Sequence, residues 1–73
     1  MAYDYSKLLG RIVERVGTQK EFAKQIGLSE HTVSVKLNNQ LGWKQDEIRR
    51  IMSVLGITAD EISTYFFTEK VQY

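Results

Sequence analysis

The chain has 73 residues, ten Lys/Arg against nine Asp/Glu, one histidine, no cysteine and no proline. That length makes one domain, residues 1–73. The missing cysteines exclude disulfide scaffolds, thiolate zinc sites and thiol catalysis, and the single histidine excludes a His-rich metal site. A hydrophobic fraction of 42% with 26% charged residues is that of a folded chain, and no apolar run approaches the roughly 18 residues of a membrane span. The start, Met1-Ala2-Tyr3-Asp4-Tyr5, has neither the basic nor the apolar region of a signal peptide, so a cytoplasmic protein is expected. Charge is uneven. Residues 1–42 carry six basic residues (Lys7, Arg11, Arg15, Lys20, Lys24, Lys36) against four acidic ones, whereas residues 43–73 are net acidic by one.

The first predicted helix runs over about residues 4–16, with Leu9, Ile12, Val13 and Val16 on its apolar side. Asp4 or Ser6 caps it and Gly17 ends it. Gly10, mid-helix, costs up to about 1 kcal/mol relative to alanine, which points to close packing of another helix there. Lys7, Arg11 and Arg15 form one stripe, open to a phosphate contact or to solvation beside Glu14. Tyr3 and Tyr5 are read as packing against this helix. Thr18-Gln19-Lys20-Glu21 is a capping box. It opens a second helix that buries Phe22, Ala23 and Ile26 and stops at Gly27. Ser29 caps a third helix over about 30–37, with Val33 and Leu37 inward. Residues 38–42 form a loop, and Trp43 anchors its end in the core or at its edge. The fourth helix, about 44–55, buries Ile48, Ile51, Met52 and Leu55. Arg49-Arg50 is a solvated pair or a phosphate contact. Thr58-Ala59-Asp60-Glu61 is a second capping box. The fifth helix after it buries Ile62 and Tyr65, with Phe66 less firmly placed. The tail, 68–73, alternates apolar and polar residues; it frays or becomes a strand against a partner. Five helices with short loops make a compact all-α domain.

The segment 18–37 has the form of a helix-turn-helix, with Gly27 at the turn, Leu28 plugging it, and Val33 and Leu37 clamping the third helix to the second. Gln19, Ala23, Gly27, Ser29, Val33 and Leu37 in combination resemble the helix-turn-helix of phage Cro- and CI-type regulators, the lambda-repressor-like family. The resemblance spans about residues 4–67. It is closest to small regulators of Gram-positive phages and prophages, which share an opening like Asp4-Tyr5-Ser6-Lys7-Leu8 and an ending like Tyr65-Phe66-Phe67. It implies a five-helix DNA-binding fold whose third helix lies in the operator major groove. Base-reading positions are then Glu30, His31, Ser34, Val35 and Asn38. Gln19, Lys20, Lys36, Asn39, Lys44 and Gln45 become phosphate contacts. One module discriminates too little alone, so two copies are expected on a pseudo-palindromic site, paired in solution or only on DNA. The expected dimer face is Tyr65, Phe66, Phe67, Val71 and Tyr73.

Two features depart from the family pattern. The reading helix opens with Glu30, an acid facing a polyanion, and it lacks the arginine or glutamine that often anchors such helices. A second reading follows: a protein–protein modulator, resembling small phage switch proteins that bind a partner repressor and mask its DNA-reading surface. No nucleophile–base pair, metal constellation or phosphate loop is present, so neither an enzyme nor a cofactor is expected.

Overall fold

The structure, a computed structural model, describes residues 2–70. Its helices are α1 (Ser6–Arg15), α2 (Gln19–Ile26), α3 (Glu30–Leu37), α4 (Gln45–Leu55) and α5 (Ile62–Phe66), the last preceded by a 3-10 turn, Ala59–Glu61. The helix starts follow from local chemistry. The Thr18 hydroxyl accepts from the Glu21 amide, and the Ser29 hydroxyl accepts from the Thr32 amide. Each satisfies a first-turn donor that has no partner within its own helix. Before α1, the Asp4 carboxylate accepts from the Ser6 amide and hydroxyl. Those bonds hold its pKa below the ordinary value. Gly27 and Gly56 end α2 and α4 at φ +77° and +66°, the left-handed region where a side chain is strained.

α2 packs on α3 and α4, and α1 packs on α2, α4 and α5. The core at their junction includes Leu8, Ile12, Phe22, Ile26, Val33, Ile51, Leu55 and Phe66, all below 2% exposure. Leu28, Leu37 and Trp43 pack on it from the edge.

Two arginines act inside the fold. Arg11 Nε donates to the Leu55 carbonyl (3.0 Å) and a second guanidinium nitrogen to that of Gly56. Arg50 donates to the Ile26 carbonyl (3.2 Å). Each places a cation on the carbonyls that end a neighbouring helix, where the helix dipole favours positive charge. Arg50 is therefore tied to the end of α2 while its side chain stays about half exposed.

The N-terminal segment is tied down twice. Asn39, at φ +66°, uses its side-chain amide like a strand neighbour: Nδ2 donates to the Tyr3 carbonyl and Oδ1 accepts from the Tyr3 amide. On the other side Tyr3 bridges Glu69 in antiparallel fashion, with Asp4 N donating to Thr68 O and Lys70 N to Ala2 O. The tail as far as Lys70 therefore pairs with the chain's own start. Val71 and Tyr73 lie outside the described residues.

Four expectations change. Nothing approaches within 4 Å of a Cβ built on Gly10, so no helix crosses there. Val13 is 65% exposed, because α1 turns a narrower apolar face inward than the spacing suggests. In α5 the order is reversed: Phe66 is fully buried, while Ile62 and Tyr65 are only partly so. Phe66 meets Trp43 edge to face, so it belongs to the core and not to a dimer face. The 3-10 turn supplies the physical reason: it rotates the helix that follows relative to a continuous α pattern. Phe66→Ala is expected to cost about 3–5 kcal/mol. Phe67→Ala, at a half-exposed position, should cost under about 1 kcal/mol. Chemical denaturation of the two variants checks this.

Candidate regulatory face on the third helix

α3 is eight residues long, about 12 Å. Glu30, Ser34 and Asn38 follow one another at four-residue spacing, as do His31 and Val35; Glu30, three before Val33, reaches solvent because it opens the helix. Glu30, His31 and Asn38 are exposed, and Ser34 and Val35 are half-buried. Asn38 is partly committed, since its Nδ2 donates to the Ser34 carbonyl at 2.8 Å. The sequence-predicted reading face is therefore assembled as a surface.

The predicted phosphate clamp is not assembled in full. Gln19 and Lys20 are exposed at the start of α2, and Lys44 and Gln45 are exposed at the start of α4. Asn39 is spent on Tyr3. Lys36 is the larger correction, because it is 4% exposed. Its ammonium donates to Glu47 Oε1 at 2.6 Å and to the Gly42 carbonyl at 3.1 Å. The ammonium also lies 5.6 Å from the centre of the Trp43 ring, within cation–π range. A phosphate cannot reach it.

Glu47 is the partner that sequence reasoning missed. It is 5% exposed and occupies the third position of α4. There it also accepts from the Lys44 amide at 2.8 Å. Burial alone would raise its pKa, but the hydrogen bonds from Lys36 and Lys44 outweigh it and hold the carboxyl below its ordinary value. A signal existed in the sequence: Glu47, Ile51 and Leu55 recur every four residues and so share one face. Lys36 likewise adjoins Leu37 and stands three after Val33.

The consequence is electrostatic. Of the two charged residues of α3, Lys36 is neutralised inside, so Glu30 is the charge that the helix presents to solvent. His31, a candidate base contact, adds no carboxylate partner of its own among the described side-chain bonds. Of the expected dimer face, Phe66 is core, Tyr65 is half-buried, and Phe67 is 50% exposed against the edge of Tyr3. Among the described residues no group of three metal-ligating side chains occurs, and no helix is long and apolar enough to cross a membrane.

This all-helical domain has the fold of a small phage regulator. It is similar to the solution structure of the modulator of repression (MOR) of the temperate bacteriophage TP901-1 from Lactococcus lactis. The identity is 53%, over 99% of this chain and 97% of that one, with a TM-score of 0.81. The family model described as "Protein of unknown function (DUF739)" matches residues 1–69, and the chain belongs to that family. A search of curated proteins found no match.

The buried pair sets a pH dependence. Glu47 has a lower pKa folded than unfolded, so its contribution is full above about 4.5, the ordinary value, and is lost as pH falls through the folded value. Glu47→Gln leaves Lys36 buried without its counter-charge and should lose about 3–5 kcal/mol near neutrality. Its stability should also fall less than the wild type's on acidification below pH 4.5. Denaturant midpoints measured across that range check both effects.

Proposed function

We propose that this chain is a modulator of a phage genetic switch that works by binding a phage repressor protein, with the solvent face of α3 as the contact surface. The observation that carries this reading is the 53% identity, over nearly the whole chain, to a phage modulator of repression. The charge of α3 supports it physically. A major-groove reading helix is favoured by outward cations that neutralise phosphates. Here the one lysine of α3 is sealed against Glu47, and Glu30 stands in the first turn. An outward carboxylate suits a basic surface, and a repressor's DNA-reading face is such a surface. His31, Ser34 and Val35 then supply small polar and apolar contacts around the charge. In this reading the chain masks the repressor's operator-binding face in the host cytoplasm, without catalysis and without a cofactor.

Glu30→Lys reverses the charge at an exposed position and should leave the fold intact. The affinity for the repressor encoded in the same phage genome should fall at least tenfold, which is about 1.4 kcal/mol. Titration calorimetry measures it. Undiminished repressor binding by Glu30→Lys contradicts the assigned face, and failure of the wild type to bind the repressor contradicts the function.

A further inference from the structure

A second surface, away from the outward face of α3, lies between α4 and α5. Ile51 and Leu55 of α4 are buried in the core. Ile48 and Met52 form the adjacent stripe and are only partly buried. With Ile62, Phe67 and Trp43 they line a groove of about 500 Å³, whose polar lining residues are Gln45 and Arg49. Phe67 is 50% exposed at its edge. From Gln45 to Met52 the wall is about 10 Å long, two turns of helix. A groove of that length between helices takes the apolar stripe of an amphipathic helix.

The charge of the wall selects the occupant. Arg50 is used within the fold, donating to the Ile26 carbonyl and meeting Asp46. Arg49 is exposed and makes no hydrogen bond or ion pair among the described residues. No carboxylate lines the groove. A second copy of the chain, docked about a two-fold axis through the groove, would bring two Arg49 guanidinium groups toward each other in a groove that no carboxylate lines. A helix with a carboxylate beside its apolar row meets no such repulsion.

We propose that the groove between α4 and α5 is a docking site for an amphipathic helix of the partner repressor, with Arg49 selecting an acidic side chain beside its apolar row. The proposal rests on the repressor-binding reading above. It gives the chain two contact surfaces of opposite sign, Glu30 on α3 and Arg49 on α4, and opposite signs at two points fix the orientation of a partner.

The test uses the full chain, isotope-labelled, and two synthetic helical peptides. Both carry the same leucine row at three- and four-residue spacing; one has glutamate beside it and the other lysine at the same positions. The glutamate peptide should shift the amides of Ile48, Arg49, Met52 and Phe67 and bind at least fivefold tighter than the lysine peptide. Arg49→Glu, at an exposed position, should invert that order. Equal affinities, no inversion, or shifts confined to other faces would overturn the site. So would groove shifts that grow with the chain's own concentration in the absence of peptide, because a second copy would then be the occupant. With the repressor itself, Arg49→Glu should lose at least tenfold. Loss in Glu30→Lys but none in Arg49→Glu overturns the groove and leaves the repressor reading standing. A chain that takes the glutamate peptide in the groove but ignores the repressor keeps the site and overturns that reading.

Discussion

The ion pair between Lys36 and Glu47 is the constraint on which the regulatory face depends. It joins α3 to the first turn of α4, and through the Gly42 carbonyl it also holds the intervening loop. Trp43 covers the ammonium from the loop's end. The same carboxylate organises the start of α4 by accepting from the Lys44 amide. One buried acid thus sets the position of two helices and decides which charge α3 shows to solvent. Such a pair is a weak source of net stability, because two ions must leave water to form it. What the pair supplies is a direct link between α3, the loop and the first turn of α4.

Two arginines are also tied to helix ends. Arg11 holds the end of α4 and also meets Glu14 at 3.6 Å, and Arg50 holds the end of α2. Six basic residues in the first 42 suggest a positive field there. Of those six, Lys36 is sealed against Glu47 and Arg11 is held by the end of α4 and Glu14. The N-terminal segment, held between Asn39 and the tail around Glu69, makes the end of α3 part of this framework, so the face is carried on a braced element and not on a free loop.

Much of this was legible in the sequence where local chemistry decides. Helix ends marked by Thr18, Ser29, Gly27 and Gly56 lie where capping rules put them. The boundaries of α2, α3 and α4 follow from those marks and from apolar periodicity. What periodicity alone could not decide is which arc of a helix faces the core. Periodicity turns Val13 inward and leaves Phe66 between core and dimer face; in the structure the first lies just outside the buried arc and the second is core. Lys36 and Asn39 looked like surface groups because lysine and asparagine usually are. Only tertiary contact shows that the lysine finds a carboxylate eleven residues on and the asparagine a backbone 36 residues back. The reading surface itself was legible, since His31, Ser34, Val35 and Asn38 turn away from Val33 and Glu30 opens the helix. Its sign was not, because that required knowing where Lys36 goes.

A helix-turn-helix arrangement is commonly a device for reading DNA, but the arrangement alone does not specify a target. In this family member the outward charge of α3 is that of an acid, and its relative from TP901-1 is a modulator of repression. The proposed function requires α3 to engage a protein and to leave the duplex alone. An amide NMR titration with a short mixed-sequence DNA duplex, at low and then moderate salt, tests that claim most directly. A protein-binding α3 gives no shifts over residues 30–38 at either salt. Shifts over Glu30 to Asn38 at low salt that fade as salt rises would contradict it, because that response marks groove docking through phosphate contacts.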